Sequence, residues 1–233
     1  MISIVIPVLN EALCITELLN YLLVSVYNKE QIEFLVVDGG SSDNTVQIVS
    51  DLAASKKNII LLKSQRGRAK QMNYGAKHAK GDVLYFLHAD SFPPKHFDKY
   101  ILECVRDGHY AGCFRMQFTS THWWLRVASW LTQFNFKACR GGDQSQFITK
   151  TLFENIGGFD ENYIIYEDNI LISELYKRNQ FVVINKKLMT SARLYENHGI
   201  WYTQFIFFNI YLKKFLGATP ERLYQYYKKH FHN

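Results

Sequence analysis

His88 and Asp90 stand two residues apart at the end of "DVLYFLHADS" (82–91), after the apolar and aromatic run Leu84 to Leu87. Residues two apart in an extended chain share a face, so an imidazole and a carboxylate leave this strand on one side. Together they are groups able to hold a hard cation that also takes phosphate oxygens. Upstream, "FLVVDGGSSDNT" (34–45) puts Asp38 before a flexible turn, where a carboxylate can accept hydrogen bonds from a base or ribose. "RGRAKQ" (66–71) sets Arg66 and Arg68 around Gly67 at a helix start, with Lys70 and Gln71 just inside. Amides at such a helix end add to the pull on an anion. The chemistry suggested is nucleotide binding with a divalent cation.

Each signal also has an ordinary structural reading. An isolated H-x-D is a strand-end turn, GGSSDNT is a good helix start, and Arg or Lys near a helix start is a solvated face. What joins them is the order of the elements. Ile2–Leu9 is a short apolar strand, followed by helical spacing at Ile15, Leu18, Leu19, Leu22, Leu23 and Val26. "EFLVVD" and "NIILLKS" read as further strands, each leading into a helix, the second helix with Ser42 or Asp43 as its N-cap. "GDVLYFLHAD" is the fourth strand. Apolar strands alternating with helices imply a parallel sheet with right-handed crossovers, covered on both faces. Ligands of such sheets bind beyond the strands' carboxyl ends. That rim collects Pro7, Asn10 and Glu11, then Asp38, then Arg66 to Gln71, then His88 and Asp90.

The second half is less regular, with strands predicted near 110–119 and in "SQFITK" and mixed strand directions on the same sheet. "EDNILISELYKRN" reads as a helix, and a last helix starts at Thr219 with Pro220 at its first position. Trp123, Val127, Trp130 and Phe134 form a helical stripe assigned to the core. Residues 200–216, "IWYTQFIFFNIYLKKFL", are apolar almost all round but short for a membrane span, which needs about 20 residues. Three readings compete: a helix packed on the core, a dimer contact, or an interfacial helix with Lys213 and Lys214 near lipid headgroups.

A chain of 233 residues with 48% hydrophobic and 21% charged residues is a globular protein with one core. The net charge of +6 suits phosphate-bearing ligands or an anionic surface, and no basic run suggests a nucleic-acid arm. Cys14, Cys104, Cys113 and Cys139 form no CxxC pair and read as reduced thiols of a cytoplasmic protein. "MISIVIPVLN" lacks a basic leader and a cleavage site and reads as the first strand, not a signal peptide. The first strand is not followed by G-x-G-x-x-G, which disfavours a dinucleotide oxidoreductase, and no G-x-x-x-x-G-K-[ST] marks a P-loop enzyme. His88 lacks the P-C-x-x-C partner of a zinc deaminase.

"ISIVIPVLNEA", "FLVVDGGSSDNT", "GRAKQMNYGAKHAKGD" and "LYFLHADS", in that order, resemble the family-2 glycosyltransferases. "GGDQSQFI", "IGGFDE", "YEDNILISELYKR" and "TSAR" extend the resemblance to about residue 195. The small soluble subgroup carrying GRAxQMNxGA and FLHAD is the best match. The resemblance implies an α/β GT-A fold: a Rossmann-like mixed, largely parallel sheet flanked by helices, with a C-terminal helical segment. It divides the chain into a catalytic domain, 1–199, and a helical extension, 200–233, packed on it. It also implies that Pro7, Asn10 and Glu11 line the nucleotide pocket, that Asp38 contacts the base, and that Gly67, Arg68 and Gln71 approach the nucleotide or its phosphates. Asp90 is then the cation-binding acid of a D-x-D element whose first acid is His88 here, Asp168 the catalytic base, and Asp143, Gln144 and Glu167 face the sugar or acceptor. His88, Arg193 and His198 are placed at the diphosphate.

The implied reaction is inverting displacement at the anomeric carbon of a UDP- or GDP-sugar, assisted by Mn²⁺ or Mg²⁺. Imidazole at position 88 suits Mn²⁺ better than Mg²⁺. The acceptor is unidentified, a lipid-linked one fitting an interfacial reading of 200–216 and a membrane-peripheral location. Without the resemblance, Glu167 and Asp168 are simply acids complementing a helix dipole. Two other classes compete. A sugar-1-phosphate nucleotidyltransferase would carry a Gly-rich, Arg-containing loop where this chain has "PVLNEA", and a non-catalytic binding module would have no use for Asp90 and Asp168.

Overall fold

The computed structural model describes residues 1–141 and 144–231. Its strands are β1 (Ile2–Val8), β2 (Ile32–Asp38), β3 (Ile59–Lys63), β4 (Val83–Phe86), β5 (Ser91–Phe92), β6 (Ala111–Phe118), β7 (Gln146–Thr149) and β8 (Phe181–Thr190). The helices are α1 (Ile15–Ser25), α2 (Thr45–Ser55), α3 (Arg68–His78), α4 (Phe97–Arg106), α5 (Trp123–Leu131), α6 (Lys150–Ile156), α7 (Glu167–Lys177), α8 (Arg193–His198), α9 (Ile200–Phe215) and α10 (Pro220–Phe231). The strands form one sheet in the order β3-β2-β1-β4-β7-β6-β8-β5. β1 lies between β2 and β4, parallel to both, and β3 extends this parallel half. Beyond β4 the directions mix, because β7 runs antiparallel to β4 and β6, while β6 and β8 are parallel.

Strand residues alternate between two apolar layers, as the two-residue period of a strand requires. Ile2, Ile4, Ile6 and Val8 of β1 pack with Ile15, Leu18, Leu19 and Leu22 of α1. Val5, Leu35, Val37, Leu84 and Phe86 face Ala69, Met72 and Ala76 of α3, and Leu171 and Leu175 of α7. The "MNxGA" spacing of α3 is set here. A Cβ on Gly75 would lie 2.4 Å from Val5 Cγ1 and 3.0 Å from Val37 Cγ2, so only glycine lets the helix rest this close to the sheet. Two residues earlier, Asn73 donates to the Phe159 carbonyl and the Glu161 carboxylate and accepts from the Phe159 N–H. It thereby ties the GGFDE turn to α3.

One sequence expectation shifts by a residue and one is corrected. The N-cap position of the second helix is Asn44, whose side chain makes no capping bond, while Asp43 just before it accepts from the Thr45 N–H at the helix start and from the Ala12 N–H in the loop after β1. The stripe Trp123, Val127, Trp130 and Phe134 is not core: all four side chains are exposed, and α5 buries Leu125 and Ser129 instead. The last helix starts at Pro220 after Thr219, whose hydroxyl accepts from the Arg222 N–H. Among the described residues no helix is long and apolar enough to cross a membrane.

Candidate functional site

The carboxyl ends of β1, β2 and β4, with the starts of α3, α7 and α8, build one rim. Asn10 adopts a left-handed conformation, φ 57°, which an asparagine tolerates. Its side-chain oxygen accepts from the Ser42 N–H at 2.8 Å, and its own N–H donates to Ser41 Oγ at 2.9 Å. These bonds stitch the loop after β1 to the loop after β2. Asp38 is buried, and its carboxylate accepts from the N–H groups of Gly40 and Ser41 at 2.9 and 3.1 Å, closing its own turn. Pro7 lies half-buried near the end of β1.

Gln71 is buried, and its side-chain nitrogen donates to the carbonyls of Val8 at 2.8 Å and Val37 at 2.7 Å. The amide thus pins the ends of β1 and β2 together beneath the pocket, and its donors are committed to the protein. Gly67, at φ 135°, turns the chain into α3, a conformation that glycine adopts at little cost. Arg68 follows and reaches across to α7, with its guanidinium 3.3 Å from Glu167 Oε1 and 3.8 Å from Asp168 Oδ2.

Both acids open α7 after Tyr166, whose φ of 75° is unusual for a bulky residue. The left-handed turn of Tyr166 sets where its two successors point, and its ring is held edge-on against Tyr211 of α9. Glu167 is buried, and its carboxylate faces the Arg68 guanidinium. Burial pushes its carboxyl above the usual range, and the Arg68 guanidinium draws it back in part.

Asp90 follows β4, and its carbonyl accepts from the Ser191 N–H of the segment leading to α8. Burial raises its carboxyl, the Arg193 and Arg68 guanidinium groups draw it down, and the Glu11 carboxylate pushes it up. Glu11 in turn pairs with Arg193 at 3.5 Å and accepts from Cys14 Sγ at 3.0 Å. The rim therefore holds two carboxylates, Glu11 and Asp90, within the field of two guanidinium groups. His88 stands half-buried just before Asp90.

Among the described residues no group of three or more His, Cys, Asp or Glu side chains gathers to hold a metal ion. The donor set nevertheless fits a cation bound mostly by its ligand. Asp90, with His88 beside it, supplies one carboxylate and one imidazole, and a cation of the Mg²⁺ type takes one or two carboxylates plus substrate phosphates and water. A cation there would also relieve the charge that burial disfavours on Asp90.

His198 packs edge-on against Phe231 of α10 at 5.1 Å, and Gln144 accepts from Cys113 Sγ and donates to the Cys139 carbonyl. Asp143 lies outside the described residues. Sequence reading missed Arg140, which is buried and donates to the carbonyls of Thr132 and Phe134 and to Cys113 Sγ. It also missed Tyr211 of α9, whose hydroxyl bonds Asn169 Oδ1 one residue beyond Asp168. The left-handed Tyr166 had no signal in the sequence, because nothing about a tyrosine announces a positive φ.

The family model described as Glycosyl transferase family 2 matches residues 3–160. A curated relative, the undecaprenyl-phosphate 4-deoxy-4-formamido-L-arabinose transferase of Edwardsiella ictaluri, is 30% identical over 152 residues, covering 63% of this chain and 46% of that one. The chain spans about half or less of the length of the curated relatives it matches. Staphylococcus aureus TarS in complex with UDP superposes with a TM-score of 0.69 at 22% identity, over 82% of this chain and 60% of that one. The mannosyltransferase PcManGT of Pyrobaculum calidifontis, in complex with GDP-Man and Mn²⁺, does so with a TM-score of 0.69 at 18% identity, over 99% and 68%. The shared architecture is the GT-A fold, a mixed sheet flanked by helices.

Proposed function

The chain belongs to glycosyl transferase family 2, and on that premise we propose that it transfers a sugar from a nucleoside-diphosphate sugar to an acceptor hydroxyl with inversion at the anomeric carbon. The observation that carries the reading is the Arg68 clamp, which fastens Glu167 and Asp168 of α7 to the start of α3, on the rim where the ends of β1, β2 and β4 converge. The GRAxQMNxGA and FLHAD stretches are the motifs that build this rim. Structures with the same fold hold UDP in one case and GDP-Man with Mn²⁺ in the other, which supports a UDP- or GDP-sugar donor.

The nucleotide lies on the loops joined by Asn10 and closed by Asp38, over the strand ends pinned by Gln71. Asp90 and His88 would hold a Mn²⁺ or Mg²⁺ ion, which supplies charge neutralisation at the diphosphate when bound. Arg193 and Arg68 add fixed positive charge on the same side. The carboxylate of Asp168 takes the proton of the acceptor hydroxyl, whose oxygen then forms the new bond to the anomeric carbon as the bond to the diphosphate breaks. One displacement at one carbon inverts its configuration, and the nucleoside diphosphate leaves. Glu167 stays buried beside Asp168 and keeps Arg68 in place. The name of the Edwardsiella ictaluri relative, an undecaprenyl-phosphate transferase, favours a lipid-linked acceptor.

The test is titration of UDP- and GDP-sugars with Mn²⁺ and with EDTA, alongside transfer assays of Asp168→Asn. We expect cation-dependent binding of one donor class and transfer lowered by about 10²–10⁴ with binding unchanged, the usual worth of a general base. Full transfer by Asp168→Asn would remove this residue from the role of base. A sugar-1-phosphate nucleotidyltransferase would instead release pyrophosphate from a nucleoside triphosphate and a sugar 1-phosphate, and a pyrophosphate-release assay with those substrates distinguishes it.

A further inference from the structure

The two helices that carry apolar residues on both sides lie together. On α9, Thr203, Ile206 and Ile210 are buried against the core. The opposite side, at helical spacing, presents Trp201, Phe205, Phe208, Leu212 and Phe215, with exposures from 42% at Leu212 to 87% at Phe215. On α5, the exposed Trp123, Val127 and Trp130 follow the same spacing opposite the buried Leu125 and Ser129, and the exposed Phe134, in the turn just after the helix, packs edge-on against Trp130. The helices meet where the ring of Trp201 lies 5.4 Å from that of Trp124 and 5.9 Å from that of Trp123, and where Trp124 Nε1 donates to Gln204. Soluble surfaces rarely expose so many contiguous large apolar side chains without a partner.

The charges around this face indicate which partner. Besides the buried Arg140, segments 119–141 and 197–219 hold Arg126, Lys137, Lys213 and Lys214 and no Asp or Glu, with Glu196 and Glu221 just beyond the ends of the second. Arg126 and Lys137 are exposed. Beside α9, the Tyr202 hydroxyl is 2.6 Å from His230 Nδ1 of α10, which seats against α9 a helix whose last turns carry the exposed Lys228 and Lys229. Lys213 and Lys214 themselves turn inward over the rings of Tyr226 and Tyr163. Aromatic side chains in the middle and cations at the flanks match a bilayer surface bearing anionic headgroups. Two copies of this face would bring like charges together. The 16 residues of α9 span about 24 Å, less than the roughly 30 Å hydrocarbon core, so the helix lies on a bilayer and does not cross it.

We propose that the outward faces of α5 and α9 form a docking surface for an anionic lipid bilayer. The Tyr211 contact to Asn169 then holds the docked helix against the start of α7, so Asp168 sits beside the membrane face where a lipid-linked acceptor would arrive. The inference rests on the surface and on the site's position, and vesicle binding is measured apart from transfer.

The experiment is flotation of the purified chain with vesicles of phosphatidylcholine alone and of phosphatidylcholine with phosphatidylglycerol, followed by quenching of its tryptophans with brominated lipids. Flotation with the anionic vesicles and quenching are expected. Phe205→Ser with Phe208→Ser, and separately Trp130→Ser with Phe134→Ser, are expected to lower partitioning about tenfold or more while melting temperature and nucleotide binding stay as in the parent. Lys228→Glu with Lys229→Glu is expected to remove the preference for anionic vesicles. No flotation by the folded parent would overturn the proposal. So would a concentration-dependent dimer in sedimentation velocity that the Phe205/Phe208 variant abolishes, since the face would then belong to a second copy.

Discussion

Replacing Gln71 with methionine separates a pin of the pocket from a contact to its ligand. Methionine keeps the unbranched length of the side chain and removes both amide hydrogens. The residue is buried, and its nitrogen donates at 2.8 and 2.7 Å to the carbonyls of Val8 and Val37. Two such bonds contribute about 1 kcal/mol each, and an acceptor left dry in the interior costs about 1–3 kcal/mol. The Val8 carbonyl keeps the Gly39 N–H at 3.0 Å, so at most Val37 is stranded. The expected cost is therefore about 2–5 kcal/mol. For a chain of this size each kcal/mol lowers the melting temperature by about 2–4 °C, which places the drop at about 4–20 °C by circular dichroism. Nucleotide affinity, titrated well below the melting temperature, should fall less than stability, because the donors of this amide point at the strands. An unchanged melting temperature together with lost nucleotide binding would refute the argument and make Gln71 a ligand contact.

Other expectations follow from the same geometry. Gly75→Ala brings a Cβ to 2.4 Å from Val5 Cγ1; overpacking of about 3 kcal/mol outweighs about 1 kcal/mol of gained helix propensity, and thermal melts should show a net loss near 2 kcal/mol. Burial raises the Glu167 carboxyl above its unfolded value. Its contribution to stability is therefore fully present below the ordinary carboxylate range of about 4.3 and is lost as pH rises through the folded value. Denaturant titrations across pH should find Glu167→Gln gaining on the parent as pH rises; a gap independent of pH would mean that burial does not govern this group. Burial and the Glu11 carboxylate push the Cys14 thiol up to about 12, so iodoacetamide at mildly alkaline pH should leave Cys14 unmodified in the folded chain and label it after denaturation. Rapid native labelling would show that the Glu11–Cys14 contact is open in solution.

The parallel half of the sheet was legible in the sequence because its cause is local. Buried strands read as short apolar runs, each followed by a helix, and the right-handed crossover then fixes which ends of β1 to β4 share a rim. Asp38, Arg68, His88 and Asp90 fall on that rim by topology alone. The mixed half was less legible, because β6 pairs with β8 across some seventy residues and β5 is only two residues long. Neither pairing leaves a periodic trace in the chain. Roles also escaped where the side chain's partner is distant. Gln71 faces the carbonyls of Val8 and Val37 only because α3 settles on β1 and β2, and Arg68 reaches Glu167 and Asp168 only because α3 and α7 share a layer. The outward stripes of α5 and α9 show the limit most clearly. A spacing of 3.6 residues determines that two faces of a helix are apolar, and the sequence alone established that much. Which face the protein covers and which it leaves to the surroundings is decided by where the neighbouring elements pack, and only the tertiary structure holds that information.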